Sequence, residues 1–263
     1  MNNVKMNDKE RLTKIAIDSF VYFYLGVKLE RGEEVLDAVI KKAYSDATQQ
    51  GAYNIPVSKV ENVSQEYKEF VQNQSISYLK QEISNYKKHG SREEFKDWHK
   101  LRCQGILNQY KDINKRSKSG DVFSYGNAQK LVNMTLKYIY LLGVIMDFTN
   151  IDECFSRMAA NVLEDEKFLD IPIDRYIMQV LWEDKEFEEV SSLMLKKEKK
   201  AYTKRGNKKY SFTSAYGEII EPWSLWNKDR YYKISDKIHE IKESPIIWEC
   251  ETWIDIQQKN KRR

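Results

Sequence analysis

Two short segments carry residue types able to do covalent chemistry. In Tyr125-Gly126-Asn127-Ala128-Gln129-Lys130 a glycine precedes a lysine that opens a strongly helical stretch, with apolar residues at 131, 132, 134, 136 and 139. A lysine on such an apolar seam is open to desolvation, which disfavours the ammonium form and frees the amine as a nucleophile. In Ile171-Pro172-Ile173-Asp174 the proline fixes the backbone just before an aspartate that opens the next helix. An acid at that end is favoured by the helix dipole and stays ionised. Brought into one cleft, Lys130 and Asp174 would make a nucleophile and its assisting carboxylate. The same residues also fit a bland reading, in which Asp174 is a helix cap and Lys130 and Lys137 flank a helix with snorkelling stems.

The order of a glycine turn, a lysine on a helix, then an apolar-Pro-apolar-Asp segment resembles the helix-hairpin-helix DNA glycosylases. It is most similar to their 8-oxoguanine branch, archaeal members included. In that family a lysine after the hairpin glycines is the nucleophile and an aspartate in a (V/I)P(V/I)D segment assists it. The resemblance implies that Lys130 is the nucleophile, Asp174 the carboxylate and Gly126 a hairpin glycine whose backbone N–H groups hold a phosphate. It covers about fifty residues. It departs from the family in having a single glycine and no proline before the lysine, and in a longer path from Lys130 to Asp174 that makes a helix near 150–163 an insertion. It implies attack of a neutral amine on the sugar C1′ of a flipped nucleotide. Tyr125, Trp98, Trp182, Trp223 and Trp226 would stack around the base. Gly126, Asn127, Gln129, Lys137 and Arg175 would contact nucleic acid.

Positioning these groups falls to helices. Helical spacing predicts elements over 8–30, 33–44, 64–88, 91–110, from the Tyr125–Lys130 segment to 142, and over 150–163, 173–182, 223–242 and 246–258. His89-Gly90 is expected to stop one of them with glycine in the left-handed cap conformation, and Ser91 with Glu94 to open the next in capping-box order. Residues 111–124 read as a polar connector. The segment 200–221 alternates and carries turn residues, so a small basic β-hairpin and an ordered loop both remain open. With 10 Gly and 4 Pro in 263 residues, the chain is expected to be all-α. It would form a single helical domain over 1–263, undivided or in two lobes (1–115 and 116–263).

Composition bounds the partners. Hydrophobic residues at 41% suffice for a core, and charged residues at 32% argue against wholesale disorder. Net charge is only +4, but the segment 196–209 concentrates Lys199, Lys200, Lys204, Arg205, Lys208 and Lys209. The runs 111–118 and 259–263 are also basic. Such a distribution suits a polyanion and equally a solvated loop with a frayed tail; the glycosylase resemblance makes DNA the expected partner. A non-enzymatic helical accessory protein, binding nucleic acid or a protein partner as a phage-defence component would, is the rival reading. No apolar run is long enough for a membrane span, no signal peptide is evident, and three dispersed cysteines suit free thiols in a reducing cytosol. His89, His99 and His239 stand apart, and no nucleotide fingerprint or hydrolase elbow occurs, so neither metal nor cofactor is expected.

Overall fold

The computed structural model describes residues 8–27, 32–48, 63–117, 121–145, 153–195 and 220–261. Among these the chain is all-α: helices hold 83% of the residues and no strand occurs. Ten α-helices follow in order: α1 Asp8–Leu25, α2 Gly32–Thr48, α3 Gln65–Ser84, α4 Arg92–Arg116, α5 Tyr125–Ile145, α6 Glu153–Glu164, α7 Arg175–Glu183, α8 Glu188–Leu193, α9 Lys228–Ile241 and α10 Pro245–Lys261. Short 3₁₀ turns lie at Glu166–Phe168, Lys185–Phe187 and Trp223–Leu225. Of the segment expected as a hairpin or loop, 200–219 falls outside the described residues. Its flanks are joined by one isolated antiparallel bridge, Leu195 to Ile220.

Helix α5 is the centre of the molecule. It packs against α2, α4, α6, α9 and the Trp223–Leu225 turn. Nearly every residue from Tyr125 to Lys137 is buried, the condition of a helix surrounded by protein on all sides. Its polar side chains must therefore find partners inside the fold or pay for desolvation. The core around it draws on both sides of residue 115, from Val21 in α1 to Ile246 in α10.

Caps fix the ends of the supporting helices. Ser64 accepts from Tyr67 N to start α3, and Ser91 accepts from Glu94 N to start α4. Each such cap contributes about 1 kcal/mol. Gly90 does not adopt the left-handed conformation expected of it; Gly26 alone among the described glycines does. Instead α3 ends near Asn85, and buried Asp165 holds the following loop by accepting from His89 N, while Gly90 N donates to Glu94.

Helix α4 runs on through Arg116, across part of what read as a connector. The reason lies in Cys103, Ile106, Tyr110 and Ile113, spaced three and four apart and all fully buried. Burying a side chain such as Ile113 contributes about 1.5–3 kcal/mol, enough to outweigh the polar residues around it. The Lys185–Phe187 turn and α8 form among acidic residues because Phe187, Val190 and Met194 reach the core.

Candidate active site

The start of α5 is built by a reciprocal cap. Ser124 N and its hydroxyl donate to Asn127 Oδ1, Asn127 N donates back to Ser124 Oγ, and Asn127 Nδ2 reaches Ala47 O of α2 at 3.0 Å. Gly126 lies inside this first turn, where a Cβ would sit 2.0 Å from the Trp223 carbonyl oxygen. Its role is close approach of two backbones. The expectation of a hairpin glycine with N–H groups open to a phosphate is therefore corrected: Gly126 is buried in a helix and covered by the Trp223 turn. Asn127 and Gln129 are corrected with it. Both side chains face inward, Gln129 donating to Gly126 O and accepting from Asn133.

Lys130 sits one turn further along, only 6% exposed. Its amine lies over the Trp223 ring, 4.6 Å from the centroid, and has no hydrogen bond or ion pair among the described residues. Burial pushes its pKa below the ordinary lysine value, against the pull of Asp174, Asp46 and Glu249, and Lys137 pushes the same way as burial. The lysine is thus both enclosed and unpaired, with Trp223 as its nearest cation–π partner.

Asp174 caps α7. Its Oδ1 accepts from Tyr176 N at 2.8 Å and from Ile177 N at 3.0 Å. Both hydrogen bonds land on the same oxygen, and no partner is seen for Oδ2 among the described residues. The cap and the candidate role therefore coexist: one oxygen holds the helix, the other is available. Lys130 and Asp174 make no direct ion pair, yet the Asp174 charge pulls the Lys130 pKa upward against burial. The other carboxylates near the amine are spoken for, Asp46 by Lys42 at 3.1 Å and by the Tyr138 hydroxyl, and Glu249 by Lys137 at 2.5 Å.

That last pair corrects Lys137, expected at the nucleic-acid surface. Burial works against its charge, but Glu249 more than offsets this and holds the amine above its ordinary pKa. Glu249 itself is 2% exposed, and burial raises its carboxyl despite Lys137. Sequence alone gave no sign of this partner, which lies 112 residues away.

The aromatic residues expected around a base are mostly core. Trp226 is 1% exposed, its indole N–H donating to Glu221 O. Tyr125 is buried and its hydroxyl donates to Tyr232 at 3.1 Å. Trp98 packs edge-on to Tyr86 and under Arg102, and Trp182 is half-buried on α7. Trp223 is the one that reaches Lys130. Arg175 keeps a half-buried guanidinium stacked on Tyr176 at 5.0 Å. Lys199, Lys200, Lys204, Arg205, Lys208 and Lys209 lie outside the described residues.

A second acid, missed in the sequence, ties the two segments together. Asp170 is fully buried and receives hydrogen bonds from Arg92 (2.5 Å), Ser235 (2.5 Å) and Tyr231 (2.9 Å), with His239 at 3.1 Å. Burial pushes its pKa up, but Arg92, His239 and His99 overcome this and leave it well below the usual carboxylate range. Tyr231 is also reached by Asn133 of α5, whose amide donates to Ile171 O at 2.9 Å as well. Asn133 in turn accepts from His99 Nε2 at 2.9 Å. Burial lowers His99 to about 4, so the imidazole is neutral at pH 7 and accepts from Tyr232 at Nδ1. Asn133 thereby pins the segment that ends in Asp174 to the helix that carries Lys130.

Among the described residues no cluster of His, Cys, Asp and Glu is arranged to hold a metal, and the three cysteines are free thiols. No described helix is long and apolar enough to cross a membrane. Compared with family models, curated proteins and solved structures, the chain matches none.

Proposed function

We propose that the chain is a DNA-binding protein that removes a modified or damaged base through a lysine nucleophile, Lys130, assisted by Asp174. The observation that carries this reading is the Lys130 amine, enclosed, unpaired and lowered in pKa beside a carboxylate with one unengaged oxygen. Buried ionisable groups with perturbed pKa values concentrate at functional sites because catalysis needs the neutral amine near neutral pH. A structural lysine in the same helix, Lys137, has instead been given its own counter-ion.

In the reaction the neutral amine forms a bond to the sugar C1′ while the C1′–base bond breaks and its electron pair leaves with the base. The proton lost by the amine passes to Asp174 Oδ2 through an intervening water. Breaking of the C1′–O4′ bond, with a proton taken up at O4′, then gives a Schiff base, and removal of a C2′ proton expels the 3′ phosphate by β-elimination and nicks the strand. Trp223 roofs the amine, so entry of a flipped nucleotide displaces that ring, and the ring is then placed to stack on the base.

The test is incubation with duplexes bearing 8-oxoguanine, uracil or other modified bases in the presence of borohydride, which reduces the Schiff base to a stable amine. Wild type is expected to give a covalent adduct that Lys130→Gln abolishes. Absence of an adduct across the substrates, or equal yields from the two proteins, contradicts the reading.

A further inference from the structure

A cleft of about 590 Å³ opens between the C-terminal half of α4 and the segment that joins the Trp223–Leu225 turn to α9. Lys111 and Lys115 line it from α4 and Lys228 from the start of α9, while Tyr125 and Trp226 also face it. All three lysines are exposed. Lys111 and Lys115 are one helical turn apart, about 6 Å along the axis, and so share a face.

The cleft carries more positive than negative side chains. Lys41, Lys42, Lys88, Lys96, Lys100, Lys137, Lys237 and Lys242 each hold a carboxylate in an ion pair. Lys111, Lys115 and Lys228 hold none among the described residues, and Asp121 is the one acid on the cleft wall. A lysine at the end of α4 is explained by the helix dipole. Lys228 is not, because it stands in the first turn of α9, just after the Asn227 cap, where the dipole disfavours positive charge. A cation kept against the dipole and aimed at a cleft with two others is suited to a polyanion.

We propose that this cleft binds the phosphodiester backbone of the DNA strand on which Lys130 acts, a proposal that rests on the lysine reading above. The Trp223–Leu225 turn connects the two places. Trp223 lies against the Lys130 amine, whereas Leu225, 64% exposed, stands on the cleft wall. A strand held by the three lysines therefore passes beside the turn that roofs the nucleophile. A lone ion offers the three lysines a single phosphate, whereas a strand offers them several.

The experiment measures anisotropy of a fluorescein-labelled undamaged duplex over a salt series. It compares the full chain, the triple variant Lys111→Gln/Lys115→Gln/Lys228→Gln, and a control with Lys14→Gln/Lys87→Gln/Lys185→Gln at exposed lysines outside the cleft. Each phosphate contact contributes about 0.9 to the slope of log affinity against log salt. The cleft triple is thus expected to flatten the slope by about 2.7 and to bind at least tenfold more weakly at low salt, while the control binds as wild type. Singly, Lys111→Gln and Lys228→Gln should each remove about one unit of slope, so a misfolded triple leaves the proposal testable. The proposal is overturned if the cleft variants bind as wild type, if the control loses as much, or if wild type binds no duplex. Failure of borohydride trapping with the cleft effect intact removes the lysine chemistry alone. Trapping with unchanged cleft binding removes the cleft alone.

Discussion

Lys130 and Lys137 leave α5 two turns apart, on nearly the same face of the helix, and both are buried. Their surroundings differ in one respect. Glu249 reaches Lys137 from α10 at 2.5 Å, and the amine stays above its ordinary pKa. Lys130 lies over the Trp223 ring with no ion pair among the described residues, and desolvation carries its pKa down. Two identical side chains on one helix thus become a structural cation and a candidate nucleophile, and what separates them is whether a neighbouring helix supplies a carboxylate within contact. Asp174 could have been that carboxylate for Lys130. Its capping bonds to Tyr176 N and Ile177 N hold it on α7 instead, close enough to act through its charge and too far to pair.

The largest effect is expected on the paired side. Lys137→Met leaves the Glu249 carboxylate buried without its partner, which costs about 3–5 kcal/mol. Chemical denaturation should show most of that loss recovered in Lys137→Met/Glu249→Leu, because two apolar groups replace the pair. A single substitution that cost nothing would dissolve the contrast between the two lysines.

On the unpaired side the sign reverses. Lys130→Met removes a desolvated amine without stranding a counter-ion, so stability at pH 7 should rise by something on the order of 1 kcal/mol, the size of an ordinary single-site effect. The direction with pH follows from the lowered pKa. The unfolded chain binds the proton more tightly than the folded one, so the penalty is fully present below the folded pKa and fades as pH climbs towards the unfolded value of 10.5. Denaturation midpoints of the two proteins should therefore differ at pH 7 and converge by pH 10.5. Lys137 gives the opposite slope: its raised pKa contributes stability present below 10.5 and lost as pH rises through the folded value.

Much of the scaffold was readable from residue spacing. The Ser64 and Ser91 caps and the α2 and α5 seams all follow from short-range pattern. The extension of α4 was also there, in the three- and four-residue spacing of Cys103, Ile106, Tyr110 and Ile113, but the lysines and asparagine around Ile113 hid it. Within the candidate site, Lys130 and Asp174 could be picked out by their helix-start positions, and the structure links them through charge without pairing them. What decides their chemistry could not be read, because it comes from distant chain: Glu249 for Lys137, Trp223 for Lys130 and for Gly126. Asp170 and Asp174 show the limit most sharply. Four residues apart and alike in sequence, one is sealed among Arg92, Ser235, Tyr231 and His239 while the other caps a helix at the margin of the site. Gln129 and Asn127 looked like polar residues on a binding helix because nothing local announces that α5 is enclosed on every side.

The most direct test of the account is the protonation of the Lys130 amine itself, followed by ¹³C NMR of ε-labelled lysine through a pH titration, with Lys130→Gln and Lys137→Met identifying the two resonances. Lys130 should titrate below 10.5 and Lys137 above it, and Asp174→Asn should move Lys130 further down by removing the charge that now pulls it up. A Lys130 resonance that titrates at or above 10.5, alongside Lys137, would contradict the account.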